Sequence, residues 1–390
     1  MRAWLVLLAA FAWPAHAAWQ WDAALDASSV HGAAIFPHLE SANRAGIAAS
    51  GDSVAVAWED NRSGAPRCYV AIKPEAAVTF RPEIAFGDGE CYEPTIVSLG
   101  EGRFLAAWEG DGRVHARVLP AGRALQLSES ESVQATLAVG GGKIYAAWAE
   151  QAGRYKRIVV AALAVDGDTV SLRAAQPVES ALPTDEQAWP ALAVTGEGRI
   201  VVAWEDRREK HTVPLASRGD ADLNFAAPLR VTDQKSGRVD GLGAGQGAMR
   251  PTLASWGEKG AIAVWLDKRD FLSGYDVYAA FDPGVPRVAP NVRVQDSFGD
   301  NIAQWHARVV SGAGRLLAVW DDARDGTPDV WLANWNGTAF GDNVAVPAAS
   351  GPGEQSEPVA TLDEAGVLHL AWLDRGADGT RVRYARATWR

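Results

Sequence analysis

The sequence predicts an all-β protein, a seven-bladed β-propeller, on three observations. A tryptophan that ends a short apolar run recurs seven times, as Trp58, Trp108, Trp148, Trp204, Trp265, Trp320 and Trp372, at steps of 40 to 61 residues. Between these tryptophans lie β-branched and aromatic runs divided by glycine turns, the pattern of antiparallel strands. No stretch repeats its apolar residues at the helical period. Four short strands per repeat make a propeller blade. Two β-sandwich domains would not require one motif to recur evenly from end to end.

Taken in order, residues 1–17 read MRAWLVLLAAFAWPAHA. A basic n-region, an apolar h-region and a small-x-small ending make a signal peptide with cleavage after Ala17. The apolar run falls short of the roughly 20 residues a spanning helix needs. The chain from 18 onward is therefore expected to be one exported propeller domain, periplasmic or extracellular in a bacterium, with no membrane insertion.

Within each unit the order is constant. An apolar inner strand, such as PTIVSL (94–99) or PTLAS (251–255), leads to a turn such as GEG (100–102) or GAG (312–314). The strand ending in tryptophan follows, then a polar loop, then a third strand such as DVWLANW (329–335). A weaker fourth strand, such as AFGDNVAVP (339–347), closes the unit. The seventh unit lacks a fourth strand. WQWDAALDAS (19–28) has that pattern and is predicted to complete the last blade, removing two sheet edges at once.

Cys68 and Cys91 are the only cysteines. In an oxidising compartment they predict one disulfide, and no histidine lies near them at zinc spacing. There is no P-loop, nucleophile elbow, His-Glu-x-x-His or EF-hand loop, so no metal and no cofactor are expected. The net charge of −11 argues against a nucleic-acid partner, which would call for a basic patch.

The stretch VAVAWEDNRSG (54–64) places an acid and an arginine beside a tryptophan, as an active site would. The same offsets recur in Trp58-Asp60-Arg62, Trp204-Asp206-Arg208, Trp265-Asp267-Arg269 and Trp320-Asp322-Arg324, with Asp374-Arg375 as a compressed form. A monomeric propeller needs an active site once. A pair present in four blades reads as structure, an ion pair with loop hydrogen bonds packed on the tryptophan.

The first unit, NRAGIAASGDSVAVAWEDNRSG (43–64), resembles the opening blade of sialidases, the neuraminidase-type propellers. The resemblance implies a sialidase-like scaffold, with Arg44 in the place of the first of three arginines that hold a substrate carboxylate. It also implies an acidic acid/base group and a tyrosine nucleophile paired with glutamate. The chain departs from that pattern. It has seven units rather than six and no Ser-x-Asp-x-Gly-x-x-Trp box. SGAPRCYVA (63–71), where the acid/base aspartate belongs, holds no acid. Tyr275 and Tyr278 lie in a strand that follows the general repeat.

If repeated residues build the frame, function lies where equivalent positions differ. The residues opening the inner strands are Arg44, Glu93, Gln134, Trp189, Arg250, Trp305 and Glu357. They should ring one mouth of the central channel. Arginine forks bind carboxylate or phosphate, and tryptophan offers a flat face to sugars or cations. The ring is therefore the candidate ligand site, or else a self-paired plug of a wet channel. Gln187, Gln304 and His306 would widen it. The Gly-rich stretch 236–251 reads as a flap leading into Arg250, or as a spacer.

The expected function is a ligand-binding or protein-interaction module acting through this face, with a glycan, a small acidic ligand or another envelope protein as partner. The alternative is a sialidase-type glycoside hydrolase acting on an acidic sugar. In that case Arg44 and Arg250 would hold the carboxylate and Glu93 or Glu357 would move protons.

Overall fold

The computed structural model describes residues 18–39, 44–233, 247–258, 260–269, 274–286, 290–299 and 301–390. Residues 1–17, expected to be a signal peptide, and most of the 236–251 stretch lie outside them. Among the described residues, seven antiparallel sheets, six of them built from consecutive strands, surround a central axis. The inner strand of each blade pairs with the strand that carries the blade tryptophan. In blade 2, Tyr92–Gly100 pairs with Arg103–Gly110. In blade 6, Trp305–Gly312 pairs with Arg315–Asp322.

Blade 7 is closed by the N-terminal segment. Trp19–Trp21 pairs antiparallel with Gly379–Trp389, setting Trp19 opposite Trp389 and Trp21 opposite Ala387. Leu25–Asp26 adds a second short pairing to the same strand. This is the closure expected from WQWDAALDAS. The Trp19 indole donates to Asn334 Oδ1 in blade 6 at 3.0 Å, so the closing strand also grips the preceding blade.

The core lies between the blades. Seven apolar clusters occur among the described residues, one at each blade interface. Each blade tryptophan is buried in the cluster shared with the preceding blade: Trp58 with Val359 and Leu373 of blade 7, Trp204 with Ile158 and Val160 of blade 3. A large flat ring spans the gap between two sheets about 10 Å apart, which explains why the residue recurs.

The repeated aspartate serves that ring. Asp60 accepts the Trp58 indole N–H at 2.9 Å, the Arg62 amide at 3.0 Å and the Arg62 guanidinium at 2.6 Å. Asp206, Asp267 and Asp322 make the same three contacts with Trp204 and Arg208, Trp265 and Arg269, and Trp320 and Arg324. The arginine then lies over the third-strand residue opposite the tryptophan. Arg62 stands 4.2 Å from the Tyr69 ring, Arg269 3.8 Å from Tyr278 and Arg324 4.1 Å from Trp331. In blade 4 that opposite residue is Leu215, and Arg208 reaches Glu179 of blade 3 at 3.0 Å instead. The compressed pair differs: Asp374 turns to Gln355 and Arg383, and the Trp372 indole N–H has no hydrogen-bond partner.

Cys68 and Cys91 form the disulfide, with Cα atoms 5.4 Å apart and both residues fully buried. It ties the third strand of blade 1 to the start of blade 2.

Candidate functional site

In blades 2 to 7 the inner strand opens at the mouth with a β-bulge, and the bulged residue is in the left-handed region. The residues are Glu93 (φ 55°), Gln134 (63°), Trp189 (54°), Arg250 (56°), His306 (49°) and Glu357 (52°). A non-glycine residue costs of order 1–3 kcal/mol there, so the surrounding structure must hold it. The register slips at the same point in all six strands, for example between Tyr92 and Thr95 and between Trp305 and Arg308. The bulge re-aims the side chain. In blade 6 it falls on His306, one residue beyond the ring position read from the sequence. Trp305 precedes the bulge and stands 40% exposed, tilted against Tyr275 at 5.3 Å.

The bulged amides are held by acids that sequence reasoning missed. In four blades the residue directly after the blade tryptophan accepts the bulged N–H of the next blade. Glu59 accepts from Glu93 and Glu109 from Gln134. Glu205 accepts from Arg250 at 2.8 Å and Asp321 from Glu357 at 3.1 Å. In blade 3 that position is Ala149, and the Gln134 side chain takes over, accepting from Trp189 N–H at 2.7 Å. The sequence carried the signal in the acid following tryptophan in WED, WEG, WED and WDD, which the recurring aspartate one place later obscured.

Blade 1 departs from this plan. Its inner strand, Ile47–Ser50, is only four residues long. The place opposite Glu59 is taken by His38, which exchanges backbone hydrogen bonds with it at 2.8 and 3.1 Å. His38 therefore joins the mouth, with Nδ1 3.0 Å from Glu357 and Nε2 3.7 Å from Glu93. Arg44 is 2% exposed. Its guanidinium is engaged by Glu93 and, at 3.2 Å, by Glu109. Across blades 7, 1 and 2 acidic and basic side chains alternate: Glu357, His38, Glu93, Arg44, Glu109.

The far side of the mouth is more open. The Arg250 guanidinium lies 3.8 Å over the Trp189 ring, 29% exposed in its side chain, with Glu205 at 3.4 Å. His306 Nδ1 is 2.6 Å from Asp321. From blade 6, Arg308 crosses the channel and donates to the Arg44 carbonyl at 2.7 Å. The other inner strands carry Gly46, Thr95, Thr136, Ala191, Thr252 or Val359 at this level.

Crowding of acids shifts their titration. Burial pushes the Glu59 carboxyl from 4.5 up to about 7, with His38 and Arg44 opposing and Glu109 and Glu357 adding to the rise. Burial also raises Glu109 and Glu205, against Arg44 and Arg250 respectively. Glu357 would be raised by burial too, but the hydrogen bond and charge of His38 bring it below the ordinary carboxylate value.

No protein-family model matches the chain, and no curated protein matches it in sequence. Among solved structures it is similar to a sialidase of Trypanosoma rangeli in complex with the inhibitor DANA, at 13% identity and a TM-score of 0.47, over 91% of this chain and 60% of that one. It is also similar to an α-L-arabinofuranosidase of Fusarium graminearum in complex with an iminosugar inhibitor, at 13% identity and a TM-score of 0.49, over 78% of this chain and 94% of that one. The chain thus spans 60% of the length of that sialidase. These are likenesses of propeller fold, and no site residue carries across them.

Proposed function

We propose that the protein is an exported, sialidase-like propeller that binds its ligand or partner through the channel-mouth face without turning it over. The ligand class is a glycan or small acidic molecule, with a docked envelope protein as the other form the same face could serve. One observation carries this reading: the mouth's backbone and acids are locked, while a few side chains stay accessible. Arg44 is wedged between Glu93 and Glu109, and Glu59, Glu109, Glu205 and Asp321 each hold a backbone amide of the next blade. Groups so engaged are frame. The side chains that keep accessible surface are Arg250 stacked on Trp189, Trp305, His306 and, across the mouth, His38. A planar guanidinium on an aromatic face suits a carboxylate carried on a ring.

The hydrolase reading has one observation in its favour. Glu59 holds its proton to about pH 7, as a general acid must. A panel of fluorogenic glycosides, sialoside included, separates the two readings using chain from Ala18 onward. Binding without turnover is expected. Turnover abolished by Glu59→Gln would replace the binding module with an enzyme.

A further inference from the structure

We propose that a cavity on the outer wall, between the closing N-terminal segment and blade 1, is a binding site for a small carboxylate with a short apolar tail. The site is remote from the mouth and independent of its function. The cavity has a volume of about 370 Å³; its wall includes Leu25, Lys73, Val78, Tyr384 and Arg386, and the carboxylates of Asp22 and Glu75.

Lys73 is the reason to expect a ligand. It is 6% exposed. Among the described residues its ammonium makes one hydrogen bond, to the Pro74 carbonyl at 3.4 Å, and has no carboxylate at ion-pair distance. A buried ammonium has three donors to satisfy, and leaving them unmet is costly. Burial accordingly lowers its titration below the ordinary lysine value. The acids in the wall do not meet the need: both turn to Arg386, and neither stands at ion-pair distance from Lys73. Asp22 accepts from Arg386 Nε at 2.7 Å, and Glu75 accepts from Arg386 Nη1. Lys73 is thus a cation facing a cavity with donors to spare.

The walls define the ligand. One uncommitted ammonium, with Asp22 and Glu75 close by, fits a monoanion and disfavours a dianion. The Tyr384 hydroxyl is engaged with His369 at 2.7 Å, so the wall it offers is its ring. Leu25, Ala77 and Val78 continue that apolar surface. Each methylene buried there strengthens binding about fourfold. Because Leu25 belongs to the closing segment and Lys73 to blade 1, an occupant would staple the ring shut and raise its melting temperature by linkage.

The test is thermal melting and calorimetric titration of the full chain with acetate, butyrate, hexanoate and inorganic phosphate, each against matched sodium chloride. The expected result is a saturable rise in melting temperature, with affinity increasing at least tenfold from acetate to hexanoate and lost in Lys73→Met. Should Lys73→Met fail to fold, Val78→Asp puts a carboxylate on the cavity rim at a residue 83% exposed, and should weaken hexanoate at least tenfold. Carboxylates no better than chloride, hexanoate binding that both variants leave intact, or phosphate binding as tightly as hexanoate would each overturn the proposal.

Discussion

The aspartate two places after the blade tryptophan shows how little a residue's type says without its partners. Asp206 is fully buried, yet it accepts from Trp204, from the Arg208 amide and guanidinium, and from Gln187 at 3.2 Å. Asp206→Ala would leave the indole N–H and part of the guanidinium unmet in the core. Its cost should be about 3–5 kcal/mol, measured by urea unfolding, with ligand affinity of the folded fraction unchanged. The recurrence of the motif in the sequence was enough to read it as frame. The acid one place earlier was not legible in that way, because its partner is an amide in the next blade. Glu59 also makes a prediction with pH. Its carboxyl binds a proton more tightly folded, at about 7, than at its ordinary 4.5. Its contribution to stability is therefore fully present below about pH 4.5 and is lost as pH rises to about 7. Glu59→Gln keeps an acceptor for the Glu93 amide and removes the titration. The variant should match the wild type near pH 4.5 and exceed it by about 2–3 kcal/mol above pH 7. Denaturant midpoints across that range check it, and parallel pH profiles would contradict it.

At the scale of strands, period-2 runs and glycine turns were legible, whereas bulges were not. The inner-strand bulge needs no glycine and leaves no compositional mark, so the register of blade 6 came out one residue early, on Trp305 rather than His306. His38, the residue that pairs with Glu59, was hidden for a similar reason: it lies outside the repeat. The outer strands carry their own lesson. Most are two or three residues long, such as Leu125–Gln126, Leu229–Arg230 and Val344–Ala345. Blade 3 instead has Thr169–Pro177, nine residues with Leu172 to Gln176 all exposed. Long bare edges invite pairing with other chains. This one is interrupted at its centre: Ala174 pairs with Ala162 and Leu172 with Leu163, so Arg173 is an extra, charged residue. Deleting Arg173 should flatten the edge and produce concentration-dependent self-association, followed by light scattering. A variant that stays monomeric like the wild type would show that the bulge has no protective role.

For the whole molecule, ring closure is the decisive feature, and it was readable because the seventh repeat lacked a strand that the N-terminal segment could supply. Trp19 is 9% exposed, sits 5.1 Å from Trp389 and bonds to blade 6. Chain beginning at residue 29 should lose cooperative unfolding and aggregate through the uncovered Gly379–Trp389 edge, as seen by calorimetry and size-exclusion chromatography. A sharp, unchanged melting transition would contradict the closure argument. The same closed frame clamps the bulged backbone around the mouth, the amides of Arg250 and Trp189 included, and leaves the side chains of Arg250, Trp189 and Trp305 accessible. The most direct test of that division is equilibrium binding of an acidic and neutral oligosaccharide panel to the wild type, Arg250→Ala and Trp189→Ala. The account predicts that an acidic saccharide binds the wild type and weakens at least tenfold in both variants, about 1.4 kcal/mol or more. Saccharide binding that both substitutions leave intact would contradict it.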